Sequence, residues 1–318
     1  MQVQFERASV SAETHDAIER GVALLVPDHR AVRVLVTGNF EQAVRREMAD
    51  HPEAASFTAD RLGGAVAGKT ICGATESVIV VDAQWLQPGE GHPDPYRLLA
   101  HEGGHVALHQ RGESADGRRR LVQTRADWML LAGAAVALEE YRIERALHQL
   151  GLPADADHWS AMPDTLFEFV AQFVDGLVLR YPREPIKRTH DTLIGAAHQL
   201  AVALHYLAAQ DPHGELPDDS VARGFWQRFV SFTWPTLTAL SATVPDASTL
   251  WPADQLDAHL LQLTAHRRDW FAQLGFRLEP EANPGDYYFR VLLGDARFQS
   301  LLDEGLAADA FYRQRDAS

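Results

Sequence analysis

The chain has 318 residues, longer than one average domain, so one large or two packed domains are expected. Asp and Glu number 44 against 29 Lys and Arg, and the resulting formal charge of −15 excludes the basic stripe that nucleic-acid backbones require. The single cysteine, Cys72, excludes an internal disulfide and any Cys-rich metal site.

The N-terminal residues lack the basic start and apolar run of a secretory signal. Residues 12 to 26 place apolar side chains at helical spacing, and the β-branched run 31–37 reads as a strand. A helix is expected over 41–50. The stretch 56–86, with short apolar pieces between glycines, reads as a small sheet with hairpin turns, ending in the strong strand signal Ser77-Val-Ile-Val-Val-Asp. Within it, Gly68-Lys69-Thr70 superficially suggests a phosphate loop. The upstream glycine is at the wrong spacing, and the segment from Gly63 to Thr70 reads as a hairpin turn. Residues 87–95 form a Gly/Pro-rich loop.

Beyond it the pattern becomes helical: 96–109, 124–150, 164–179, 189–210, 221–240, 255–274 and 287–306. The longest apolar run, Met129 to Leu138, is far shorter than the roughly 20 residues of a membrane span, so a cytoplasmic protein with no membrane partner is expected. The fold class is therefore α+β: a small N-terminal mixed sheet with helices, then a large helical part. Residues 1–110 and 111–318 are the expected subdomains, with a cleft between them as the natural place for a site.

That division falls at His101-Glu102-Gly103-Gly104-His105. On a helix, His101 and His105 project from one face on successive turns and can reach one tetrahedral ion at about 2.0–2.1 Å each, while Glu102 stands beside it as a proton acceptor. Two interior glycines cost the helix about 1 kcal/mol each relative to Ala. Small residues there would let a strand or a substrate backbone approach closely. A catalytic zinc usually takes a third protein ligand. His109 is too far, about 12 Å along the axis from His101 at 1.5 Å per residue. Glu140, on the next helix, is the choice, because it continues the face of a deeply apolar run; Glu139, Glu144 and Asp127 are the alternatives. Glu144, one turn beyond Glu140, would then bond the outer nitrogen of a ligand histidine. The plainer alternative is an acidic helix end laced with Arg142 and Arg145.

The combination of His101, Glu102 and His105 with Glu140 and Glu144 on a second helix resembles the gluzincin metallopeptidases. The stretch 99–109 also looks like cytoplasmic metallopeptidases that act on repressors. The likeness covers residues 96–150. It implies a bound Zn2+, a peptide or protein substrate and Glu102 as general base. An oxyanion-stabilising donor is also implied, for which His205 and Tyr206 are chosen over Tyr141 and Arg142. His190 and His198 share their helix, and each reads as a packed or solvated histidine. The competing class is a non-catalytic regulatory or protein-binding chain that keeps the scaffold.

Overall fold

The computed structural model describes residues 1–51, 54–61, 64–87, 89, 92–114, 117–154, 157–174, 176, 186–280, 288–292 and 294–315. The fold is α+β, with a small mixed sheet at the N-terminus and a large helical part. The chain divides into two compact units: Met1–Ser114 with Arg142–Asp155 and Pro245–Trp251, and Ala115–Tyr141 with Ala156–Val244 and Pro252–Ser318.

The first unit opens with β1 (Gln2–Glu6), α1 (Ala12–Leu25), β2 (Val32–Thr37) and α2 (Phe40–Glu47). It continues with a short hairpin of β3 (Asp60–Arg61) and β4 (Gly64–Ala65), then β5 (Gly68–Cys72), β6 (Ser77–Asp82) and α3 (Pro95–Gln110). The four-stranded sheet has the order β1-β2-β6-β5. β1, β2 and β6 are parallel, with helices in the crossovers, and β5 returns antiparallel to β6 as an edge. β2 and β6 are apolar on both faces because both faces are covered. Val32, Val34, Val36, Ile79 and Val81 meet Ile18 and Val22 of α1 and Leu99 and Val106 of α3, while Leu35, Val78 and Val80 meet Phe40 and Val44 of α2.

Gly68-Lys69-Thr70 is strand, not turn: its residues pair with Val81, Val80 and Ile79. Glycine at its start marks a close approach of other atoms rather than a bend. Gly63 lies outside the described residues. β1 was not foreseen, since five residues of mixed polarity become a strand only when β2 offers its edge.

α4 (Arg125–Gln149) contributes residues up to Tyr141 to the second unit and those from Arg142 onward to the first. The second unit adds α5 (His158–Val174), α6 (Ile186–Gln210), α7 (Ser220–Phe229), α8 (Trp234–Ala242), α9 (Ala253–Leu274), the hairpin β7 (Phe276–Glu279) and β8 (Tyr288–Val291), and α10 (Asp295–Arg315). Its core is aromatic: Phe169 stacks on Phe173 with centroids 5.3 Å apart, and Phe229 meets Phe169 edge-on at 5.7 Å. Residues 187–210 of α6 are long and apolar enough to cross a membrane by composition, and half of that window is buried inside the protein.

Two helical expectations change. The single helix over 221–240 is two, because Pro235 belongs in a first turn, where no amide N–H is needed, and so opens α8. The helix expected from 287 to 306 begins later, and Tyr288 instead starts β8 opposite Glu279; Tyr287 lies outside the described residues. The continuation of 164–179 beyond Val174 lies largely outside them as well.

The paired glycines of α3 have a packing cause. A Cβ on Gly104 would lie 2.7 Å from Ile143 Cγ1 of α4, and one on Gly103 would lie 3.0 Å from the Val22 carbonyl oxygen of α1. From the other side, a Cβ on Gly21 of α1 would lie 2.5 Å from the Tyr96 carbonyl. The close approach anticipated at these glycines is therefore that of two neighbouring helices, not of a strand or a substrate. We predict that Gly104→Ala destabilises the protein despite alanine's helix propensity, worth about 1 kcal/mol, because overpacking at a β-branched neighbour costs about 1–3 kcal/mol. Urea unfolding would measure it, and a more stable variant would contradict this packing account.

Candidate metal centre

α3 starts where Asp94 caps it: the Tyr96 N–H donates to Asp94 Oδ1 at 3.1 Å, and Pro95 occupies the first turn. His101 and His105 follow on successive turns of this helix. Their rings stand edge to face with centroids 5.3 Å apart.

His101 Nδ1 donates to Glu144 Oε1 at 2.8 Å. A neutral imidazole with its proton on Nδ1 keeps its lone pair on Nε2, the form a cation requires. Glu144 is held in turn: Arg97 Nη2 donates to its Oε2, and Arg97 Nε donates to the Pro153 carbonyl at 2.8 Å. Glu140 sits one turn before Glu144 on α4 and so shares its face. One ligand atom each from His101, His105 and Glu140 lie within 4.8 Å of one another, all three residues being partly buried.

The donor set fits a divalent cation such as zinc. Two imidazoles and one carboxylate suit a borderline-soft ion and leave one tetrahedral position open. Glu102 is 6% exposed. Thr70 Oγ1 of β5 donates to Glu102 Oε2 at 2.7 Å and lies 3.0 Å from the Glu102 carbonyl oxygen. A Cβ on Gly68 would lie 2.8 Å from Glu102 Oε1, so that glycine is what allows the strand to run against this carboxylate.

Of the residues proposed as oxyanion donors, Tyr206 donates its hydroxyl to Glu140 Oε2 at 2.7 Å, and its ring stacks on His158 at 5.1 Å. That makes it an orienting partner of Glu140. His205 faces the interior of the second unit, where its Nδ1 donates to the Ala201 carbonyl at 2.7 Å. Successive side chains on the helix α6 project roughly 100° apart around its axis, which separates it from Tyr206. Tyr141 is buried edge-on to His205, with centroids 6.4 Å apart. Arg142 is 1% exposed and is a strut. It pairs with Glu113 at 2.7 Å and donates to the carbonyls of Pro245 at 2.9 Å and Thr249 at 3.0 Å. The plainer reading of the α4 acids as a surface array fails for Glu144, which is buried and bonded inward. Asp127 pairs with Arg268, and His109 lies 3.5 Å from Ser114 Oγ.

Sequence reasoning missed Arg97 and Thr70. Arg97 carried a signal, since its spacing to His101 repeats that of His101 to His105. Thr70 carried none, because only strand-on-helix packing brings it to Glu102. Comparison of the chain with protein-family models, curated proteins and solved structures returns no match.

Two outcomes are expected. Arg97→Met or Glu144→Gln should weaken zinc affinity about 10–100-fold, as removal of a partner that orients a metal ligand does; competition with a chromophoric chelator would measure it, and unchanged affinity would show that the clamp does not act on His101. The second concerns pH. Burial pushes His205 down from 6.5 to about 4 and lowers His190, His259 and His266 in the same direction. The unfolded chain binds these protons first, so stability is complete above about pH 6.5 and declines as pH falls towards 4, by up to about 3 kcal/mol for His205. Urea midpoints taken across that range should show a shallower slope for His205→Gln than for the native protein, and parallel slopes would refute the assignment.

Proposed function

We propose that the chain is a zinc-dependent hydrolase, a metallopeptidase by its donor set. The observation that carries this reading is the convergence of His101, His105 and Glu140, with Glu102 beside His101 in sequence and Glu144 bonded to His101. A purely structural site would close its fourth position and would have no use for a buried carboxylate adjoining the ligands. Zinc held there would supply Lewis acidity, acidifying water and polarising the acyl carbonyl to be cleaved.

The residues of the chain divide the remaining work. Glu102 accepts a proton from the attacking water and returns it to the leaving amine. Thr70 fixes the rotamer of Glu102, so the carboxylate is in place before substrate arrives. Arg97 and Glu144 hold His101 in its coordinating tautomer, and Tyr206 restrains Glu140 through its Oε2. The expected substrate is a peptide or protein.

Protein purified without a His-tag or chelator should contain about one zinc per chain by mass spectrometry of the metal. Glu102→Gln should keep that zinc while losing about 10²–10⁴-fold in turnover of a fluorogenic peptide pool, the range for loss of a general base. A chain without stoichiometric metal, or a Glu102→Gln variant as active as the native protein, would refute the reading. Zinc retained with no turnover by the native chain would favour a regulatory protein on the same scaffold.

A further inference from the structure

Tyr206 bonds the candidate ligand Glu140, yet its own helix gives its ring little support. Its same-face neighbours on α6 are Val202, Ala203, Ala209 and Gln210, three of them short apolar groups. Gln210 is committed elsewhere, since its Oε1 accepts the His158 N–H of α5 at 3.1 Å. A phenol hydroxyl sits far from the backbone, so a small swing of the side chain would take it out of its 2.7 Å bond to Glu140 Oε2. Support for the ring comes from α5, where His158 covers one of its faces. The imidazole lies 13° from parallel to the phenol with centroids 5.1 Å apart, the geometry of an offset stack.

His158 is itself fixed. It is the first residue of α5, and Asp157 caps that helix by accepting from the Trp159 N–H at 3.1 Å and the Ser160 hydroxyl at 2.6 Å. Two bonds then tie the start of α5 to the end of α6, one turn beyond Tyr206. The His158 N–H donates to Gln210, and the Trp159 indole N–H donates to the Asp211 carbonyl at 3.0 Å. The imidazole is therefore held against the phenol by the backbone that carries it.

We infer that His158 is a positioning residue of the candidate metal centre, acting through its stack on Tyr206 to hold Glu140 in its ligating orientation. The inference rests on the metal centre proposed above. It brings α5, which carries none of the proposed ligands, into the support of the site. His158 acts by the flat face of its ring, not by a charge or a proton, so another flat ring serves in its place.

Zinc affinity, measured on the full chain by competition with a chromophoric chelator, tests this coupling. Tyr206→Phe removes the hydroxyl and should weaken zinc binding about 10–100-fold. His158→Ala should weaken it about 2–10-fold, the worth of one aromatic pair. Placed in the Tyr206→Phe protein, the same change should cost nothing further, because the hydroxyl it positions is gone. His158→Phe keeps the stack and should restore native affinity. A second readout needs no metal. By NMR of the metal-free protein, the Tyr206 hydroxyl proton, identified by its loss in Tyr206→Phe, should exchange slowly with water. Exchange should quicken several-fold in His158→Ala and stay slow in His158→Phe. A native chain that binds no zinc would remove the metal centre, and the exchange rates would then decide whether His158 orients Tyr206 on Glu140. Equal losses of affinity from His158→Ala in the native and Tyr206→Phe proteins, or no rescue by His158→Phe, would overturn the inference.

Discussion

The bond between His101 Nδ1 and Glu144 Oε1 ties the candidate site to its scaffold. It joins α3 to α4, selects the tautomer of one imidazole, and sets the register in which Glu140, a turn earlier on α4, meets the histidine pair. Removing a partner from a buried, charge-assisted bond leaves the other uncompensated, so the arrangement holds as a unit. Arg97 completes it by meeting the second oxygen of Glu144.

That register depends on helices packing more closely than ordinary side chains permit. Gly104 receives Ile143 of α4, and Gly103 and Gly21 bring α3 against α1. The helix propensity lost at these positions is small beside the burial gained, since Leu25, Ala100, Ala107, Leu108, Ile143 and Leu147 form one continuous core around the crossing. Behind it, Arg142 pins α4 to the 245–251 segment by donating to the Pro245 and Thr249 carbonyls, and its partner Glu113 accepts from the Trp251 N–H. The sheet contributes at its antiparallel edge, where Gly68 and Thr70 of β5 reach Glu102.

The two units use buried basic groups differently. In the first, three groups of α3 and α4 have an acid: Arg97 and His101 share Glu144, and Arg142 has Glu113. In the second, His205, His266 and Arg267 lie in an apolar interior, where burial keeps the imidazoles neutral and lowers Arg267 to about 10.

Features repeated at short range were legible from sequence. The four-residue step from His101 to His105, and the same step from Glu140 to Glu144, needed only helical geometry, and the apolar runs of β2 and β6 needed only the logic of a two-sided sheet. β1, the strand at Tyr288 and the glycines' true neighbours were not legible, because each follows from a partner distant along the chain, whereas the break at Pro235 follows from proline's local preference for a first turn. His205 and Tyr206 show the limit most clearly. Adjacent on one helix, one enters an apolar core and the other bonds Glu140, a separation decided by which elements pack against each side of α6. Donor types and their local spacing are written in the order of the residues. Which donors meet depends on packing, because convergence of side chains is a property of helices in contact, not of any one of them.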